Sequence, residues 1–277
     1  MTVKDLRLAF IGCGVMGESM IAGLVKNNLV DAATIAASHP RENRRTELAG
    51  KYGVKAFERN AEAAKLVAAQ ENSAVIICVK PQRLERVLKD LDGILHPEQL
   101  VISIVAGATI EHLAEDLGTA KIVRAMPNTP SQIGAGITAW TCTVAVGDAE
   151  REHVRELLKA LGKELFVETE NMIDMATSLS ATGPTYIFMV MEALTDAGVH
   201  LGFSRDMAKE LVQETMLGSV KFALASHKHP AELRNMVTSP GGTSAEAIYQ
   251  MEKGSLRTVL SKAVYAAYKR AVDLGKK

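Results

Sequence analysis

Three glycines constrain the first half of the chain more than any other feature. Gly12, Gly14 and Gly17 stand in the spacing G-x-G-x-x-G, between the apolar run Leu6-Arg7-Leu8-Ala9-Phe10-Ile11 and a segment of helical periodicity, Glu18 to Asn27. The pattern alone is weak; a strand before it and a helix after it, in the first βαβ unit, make it a dinucleotide fingerprint. The chemistry explains the spacing. A glycine at position 12 permits the tight turn, one at 14 admits a pyrophosphate to the backbone, and one at 17 lets the helix approach the sheet. The helix start then offers free N–H groups and partial positive charge to phosphates. Gly12, Gly14, Val15, Met16 and Gly17 are therefore the first candidate cofactor contacts.

Beyond the turn, short apolar runs alternate with polar helical stretches. Thr34-Ile35-Ala36-Ala37, Ala74-Val75-Ile76-Ile77-Cys78-Val79, Leu100-Val101-Ile102-Ser103-Ile104, Lys121-Ile122-Val123-Arg124 and Ile137-Thr138-Ala139-Trp140 read as strands, with Leu165-Phe166-Val167 the last. Such runs, divided by helices, predict a parallel sheet covered on both faces. From about Asn171 the strand signal stops. Met172 to Ser180, Pro184 to Leu201, Arg205 to Ser226 and Ser244 to Leu274 carry helical periodicity, with few breakers except near Gly254. The expected class is α/β: an N-terminal Rossmann-type doubly wound sheet over residues 1–168, followed by an all-helical domain over 169–277. Ile187, Phe188, Met189 and Met191 make one helix apolar almost all round. A small domain offers little interior for such a helix, which assigns it to a subunit interface; the centre of a monomeric bundle is the alternative.

Composition narrows the partners. With 32 basic and 32 acidic residues and no basic block, neither nucleic acid nor an anionic membrane surface is expected. Cys13, Cys78 and Cys142 are odd in number and far apart, which is neither a disulfide framework nor a metal-ligand pattern and suits a reducing compartment. The opening Met1-Thr2-Val3-Lys4-Asp5 carries no signal peptide, and the longest apolar stretch, residues 186–191, is too short for a bilayer. A soluble cytoplasmic chain is the expectation. No metal is expected, because the i, i+2 spacing of His227 and His229 does not put two ligands on one helical face.

The end of the second strand bears on the form of the cofactor. An Asp or Glu there holds a ribose 2′-hydroxyl in NAD enzymes. This chain instead reads Ala37-Ser38-His39-Pro40-Arg41, with Arg44 and Arg45 following. A hydroxyl and guanidinium groups suit a 2′-phosphate that a carboxylate would repel, so NADPH is expected to be preferred, with NADH as the alternative. Arg44 and Arg45 read equally well as solvated helix residues. Further candidate cofactor contacts are Val79, Lys80 and Pro81, Ala106 and Gly107, and Asn128, all at strand ends where open α/β sheets bind ligands, together with Asn60. Asn128 suits a carboxamide because an amide both donates and accepts. Lys80 serves equally as a plain strand-end lysine.

A second glycine loop, Ser239-Pro240-Gly241-Gly242-Thr243-Ser244, stands immediately before a helical segment. Hydroxyls and two glycines at a helix start form an anion cradle of carboxylate size. Plain helix capping by Thr243 or Ser244 accounts for the same residues. The stretch from Leu233 to Ser244 closely resembles the signature of the pyrroline-5-carboxylate reductase family. So do Ser180-Ala181-Thr182-Gly183-Pro184-Thr185-Tyr186-Ile187-Phe188, Glu192 to Gly198, Val79-Lys80-Pro81 and Met126-Pro127-Asn128-Thr129-Pro130. The likeness runs in order from the glycine turn to the last helix.

The resemblance implies NAD(P)H-dependent reduction of 1-pyrroline-5-carboxylate to L-proline, the last step of proline biosynthesis. It also implies a homodimer formed through interlocking C-terminal helices, often assembled further into a ring of dimers. It assigns the substrate carboxylate to Ser239, Gly241, Gly242 and Thr243, and brings the Ser244 hydroxyl, the candidate catalytic group, to the ring nitrogen. Relatives commonly carry threonine there, so serine keeps the hydroxyl and loses the rotamer restraint of a branched residue. An imine that arrives protonated needs no strong acid, and the loop holds no His, Lys, Asp or Glu. Two rival readings remain: a β-hydroxyacid dehydrogenase using Lys209 or Lys221, and a nucleotide sensor without turnover.

Overall fold

The computed structural model describes residues 3–68 and 72–276. Its strands are β1 (Arg7–Ile11), β2 (Ile35–Ser38), β3 (Lys55–Phe57), β4 (Ser73–Ile77), β5 (Leu100–Ser103), β6 (Ile122–Met126), β7 (Gly136–Cys142) and β8 (Gly162–Phe166). They form one sheet in the order β3-β2-β1-β4-β5-β6-β7-β8. Helices α1 (Val15–Lys26), α2 (Glu42–Tyr52), α3 (Asn60–Ala68), α4 (Leu84–Leu91), α5 (Ile110–Leu117) and α6 (Asp148–Lys159) connect them.

The uninterrupted apolar strands have a simple consequence. Successive side chains on a strand point to opposite faces. Leu8, Phe10, Ile76 and Ile102 enter one buried cluster, while Ala9, Ile11, Val75, Ile77 and Val101 enter the other. Both faces are therefore covered, as a parallel sheet requires. One pair departs from the parallel pattern: β6 and β7 are antiparallel, Ala125 opposite Trp140. Only the short turn Thr129–Ile133 and its flanks join them, and a parallel crossover needs a dozen or more residues. Chain order then places the C-terminal ends of β1, β2, β4, β5 and β6 along one rim. The switch point, where the order departs in opposite directions from β1 and β4, is where such folds bind ligands.

One edge strand carries too little hydrophobic pattern to be read from the sequence. β3 is three residues long and carries a single large apolar residue, Phe57, so alternation cannot mark it. Arg124 sits within β6 yet is buried, its Nη1 donating to Glu170 Oε1 at 2.8 Å and its Nη2 to Asp174 Oδ1 at 2.6 Å. Glu170 is the N-cap of α7 (Asn171–Ala176) and Asp174 lies within it, so the ion pairs join the sheet to the chain leaving it.

The chain divides into two compact units, one running up to Thr182 and resuming at Ala267, the other covering Gly183–Ala266. The second holds α8 (Gly183–His200), α9 (Arg205–Ser226), α10 (Pro230–Met236), α11 (Thr243–Lys253) and most of α12 (Leu256–Leu274). The long helical run from Ser244 is thus broken at Gly254 and Ser255, the latter with φ of +58°. Ala208 is the only buried residue of this unit among those described. Gly198 brings α8 against it, since a Cβ there would lie 2.9 Å from that of Ala208. Ile187, Phe188 and Met189 are 49%, 58% and 64% exposed. A helix this apolar and this open lacks its covering partner. No helix among the described residues is long and apolar enough to cross a membrane.

Candidate functional site

The glycine turn is built from its own backbone. Gly12 has φ of +73°, and a Cβ there would run into the Val79 side chain. Its N–H donates to Ser38 Oγ at 3.0 Å, that of Cys13 to Ser38 O at 2.8 Å, and that of Gly14 to Gly12 O at 2.7 Å. Those three amides are consumed in holding the turn. Helix α1 begins after Gly14 with no side-chain cap, so the amides of Val15, Met16 and Gly17 are the ones left to face an anion. A Cβ on Gly14 would meet only Gly12 O, at 3.9 Å, which leaves that side open for close approach. Gly17 lies on the opposite side, pressed on the thiols: a Cβ would stand 2.7 Å from Cys78 Sγ and 3.1 Å from Cys13 Sγ. Cys13 is wholly buried, a small spacer under the helix. The Cys13 thiol beside it, and burial, push the Cys78 thiol well up, so Cys78 is not a nucleophile in this state.

The end of β2 differs from its sequence reading in detail. Ser38 is 0% exposed, and its hydroxyl is engaged with Gly12 and Asn60, so it supports the turn from beneath instead of reaching out to a phosphate. Arg44 is drawn aside as well. It pairs with Glu18 and Glu47, while Arg45 donates to the carbonyls of His39 and Pro40. Arg41, at the N-cap of α2, is exposed, and its guanidinium makes no hydrogen bond or ion pair among the described residues. Burial first, then the charges of Arg41, Arg44 and Arg45, push the His39 imidazole below its usual pKa. Arg44 and Arg45 are thus paired with Glu18, Glu47 and Glu58, and the exposed Arg41 guanidinium is the cation that this loop can offer a phosphate.

The remaining strand ends share this rim. Val79 and Pro81 are partly buried and Lys80 is exposed. Gly107 has φ of +77° and faces Leu274 of α12, whose Cβ would be 2.6 Å from a side chain there, so its glycine has a packing reason that sequence pattern did not show. Asn128 Oδ1 accepts from the Ile137 N–H at 3.0 Å, and its Nδ2 points at Ser180 Oγ at 3.5 Å. The amide oxygen is spent inside the 128–137 loop, leaving chiefly the NH2 group for a ligand. Ser180 lies in a π-helical turn, Thr177–Ala181, closed by the Thr182 N–H on Thr177 O at 2.9 Å. Such turns recur at functional sites.

In the helical unit, Ser239 to Ser244 form a compact loop. Gly241 has φ of +71°, the Gly242 N–H donates to Ser239 O at 3.0 Å, and Gly242 is the N-cap of α11 with no side-chain cap bond. Neither Thr243 nor Ser244 caps the helix. Its first amides and both hydroxyls make no hydrogen bond among the described residues beyond the helix itself, as an anion cradle requires. One further group, Glu85, His112 and Asp116, brings ligand atoms close enough to share a cation, but both carboxylates are exposed, each 3.4 Å from the imidazole Nε2.

Known proteins resemble the chain over its whole length. The family model described as pyrroline-5-carboxylate reductase dimerisation matches residues 170–274, and one described as NADP oxidoreductase, coenzyme F420-dependent, matches residues 7–107. The pyrroline-5-carboxylate reductase of Pseudomonas aeruginosa is 39% identical over 269 residues, covering 97% of this chain and 96% of its own. The chain belongs to the pyrroline-5-carboxylate reductase family. It is an oxidoreductase of that type with a Rossmann-like sheet that takes a nicotinamide cofactor. The solved reductase of Coxiella burnetii superposes with a TM-score of 0.87 at 35% identity, covering 98% of this chain and 99% of that one. The Plasmodium falciparum pyrroline carboxylate reductase, with NADP bound, gives 0.88 at 30% identity with the same coverage. The glycine turn fits such a cofactor on physical grounds: an uncapped helix start, an open face at Gly14, and an exposed guanidinium at Arg41.

Proposed function

We propose that this reductase converts 1-pyrroline-5-carboxylate to L-proline, the closing step of proline synthesis in the cytoplasm, with NADPH preferred over NADH. The observation that carries the substrate assignment is the uncapped start of α11. Ser239, Gly241, Gly242 and Thr243 surround it with hydroxyls and amides and no ionisable side chain, which fits a carboxylate of small size. When bound, the reduced nicotinamide supplies hydride to the imine carbon. Val15, Met16 and Gly17 hold the cofactor's phosphates, and Arg41 holds the 2′-phosphate. The Ser244 hydroxyl hydrogen-bonds the ring nitrogen and orients it. A protonated imine takes up hydride without building negative charge on nitrogen, so positioning does most of the work.

Residues 1–168 serve the cofactor in this reading, and 169–277 serve substrate and dimerisation. The exposed apolar face of α8 supports a homodimer through the C-terminal helices; the solution mass distinguishes a dimer from a ring of dimers. The test is direct. Purified protein is expected to oxidise NADPH when pyrroline-5-carboxylate is supplied, forming proline, and to do so with higher kcat/KM than with NADH. No oxidation above background with either cofactor overturns the assignment. Oxidation of β-hydroxyacids without imine reduction favours the rival dehydrogenase, and tight NADPH binding without turnover the sensor.

A further inference from the structure

We infer that Asp90, on the solvent side of α4, is a positioning residue for the cofactor turn, acting through Asn60 and Ser38 on the amide of Gly12. Four groups lie in series. Asp90 Oδ2 accepts from Asn60 Nδ2 at 2.9 Å, Asn60 Oδ1 accepts from Ser38 Oγ at 2.7 Å, and Ser38 Oγ accepts from the Gly12 N–H at 3.0 Å. The ends of this chain fix the direction of every link. A carboxylate only accepts, so the Asn60 NH2 must face Asp90 and its oxygen must face Ser38. The single Ser38 proton is then committed to Asn60, and the oxygen's lone pairs are left to Gly12. A backbone N–H only donates, so the far end agrees.

Removing the carboxylate frees the Asn60 amide to turn over. Its NH2 group then donates to Ser38 Oγ, and the hydroxyl proton turns to Phe10 O, which is 3.5 Å away. Ser38 would hold Gly12 with its oxygen shared between two donors and its own proton on a poor acceptor. Gly12 is the residue whose φ of +73° sets the turn, so the loss falls on the geometry of the phosphate-facing amides that follow it. Side-chain networks of this kind couple their members beyond pairwise contact.

The inference rests on the cofactor part of the proposed function and not on the substrate. Its test is therefore the dissociation constant for NADPH, measured by fluorescence on the full-length protein without substrate, for Asp90→Ala, Ser38→Ala and the double variant. Asp90→Ala is expected to weaken NADPH binding roughly three- to tenfold, the worth of one hydrogen bond. It should raise KM for NADPH correspondingly and leave kcat at saturation within about twofold. In the Ser38→Ala background the relay is already cut, so the same substitution should change the constant less than about twofold, a coupling that a merely structural role does not produce. An unchanged constant for Asp90→Ala, or the same fold-change in both backgrounds, overturns the relay. A wild-type protein that fails to bind NADPH overturns the cofactor reading itself, and binding without imine reduction removes only the substrate assignment.

Discussion

Arg44 Nη2 donates to Glu18 Oε2 at 2.6 Å, tying the first turn of α1 to the first turn of α2. Glu18 also holds Lys51 Nζ at 3.1 Å and the Tyr52 hydroxyl at 2.9 Å. Burial pushes its carboxyl up, but the hydrogen bonds from Arg44, Lys51 and Tyr52 outweigh it and hold the pKa at about 2, against an ordinary 4.5. A depressed carboxylate contributes stability that is complete above its unfolded pKa and lost as pH falls through its folded one. Glu18→Gln should therefore cost about 1–3 kcal/mol near pH 7. The difference from wild type should shrink as pH falls from about 4.5 toward 3. Denaturant unfolding across that range checks this; a deficit that does not change with pH contradicts it.

The same ion pairs separate the arginines by role. Arg41, at the N-cap of α2, has a guanidinium without a partner among the described residues, and Arg44 is committed to Glu18 and Glu47. Arg41→Ala should weaken NADPH binding about ten- to a hundredfold, the range of hydrogen bonds to a charged group, and leave NADH nearly unaffected. Arg44→Ala should lower the thermal midpoint more than it changes the ratio of the two dissociation constants. Calorimetric titration with both cofactors decides it. Equal losses for NADPH and NADH in Arg41→Ala would remove the 2′-phosphate assignment.

These assignments show what sequence carries and what it does not. The glycine turn, the parallel core and the helical second half were legible because each rests on local pattern: glycine spacing, strands apolar on both faces, and 3.6-residue periodicity. β3 escaped because a short edge strand carries almost no alternation. The inward turn of Ser38, the capture of Arg44 by Glu18 and the Arg124 ion pairs escaped for a different reason. Partners 26 and 50 residues apart meet only once the sheet is assembled, as Arg44 meets Glu18 and Arg124 meets Asp174. The packing of Leu274 on Gly107 is of the same kind. In the Ser239 to Ser244 loop, sequence left capping and anion binding level; the uncapped N-terminus favours the second.

That loop gives a substitution with a divided effect. Gly242 has φ of −82°, which any residue adopts, but a Cβ there would stand 2.5 Å from Ser239 Oγ. Gly242→Leu should displace the Ser239 hydroxyl and fill the cradle. KM for pyrroline-5-carboxylate should rise about tenfold or more, consistent with loss of one or two charge-assisted hydrogen bonds. NADPH affinity should stay at the wild-type value, because the turn proposed to bind it belongs to the other unit. Steady-state kinetics paired with direct cofactor binding measures both, and equal damage to each refutes the division of labour.

The exposed face of α8 carries the last prediction. Met189 is 64% exposed in the single chain, with Ile187 and Phe188 open beside it. A charge at such a position costs the isolated fold little, since surface substitutions are usually within about 0.5 kcal/mol. In a dimer the same charge would be buried against the apolar helices of a partner, where an unpaired carboxylate costs several-fold more than that. Met189→Asp should therefore shift the protein from dimer to monomer while keeping its far-ultraviolet helical signal. NADPH should still bind, because the glycine turn lies wholly within one chain. Light scattering over a concentration series, with circular dichroism and cofactor titration on the same samples, separates the effects. If Met189→Asp keeps the dimer mass at all concentrations, α8 is not the interface, and its apolar face needs another cover.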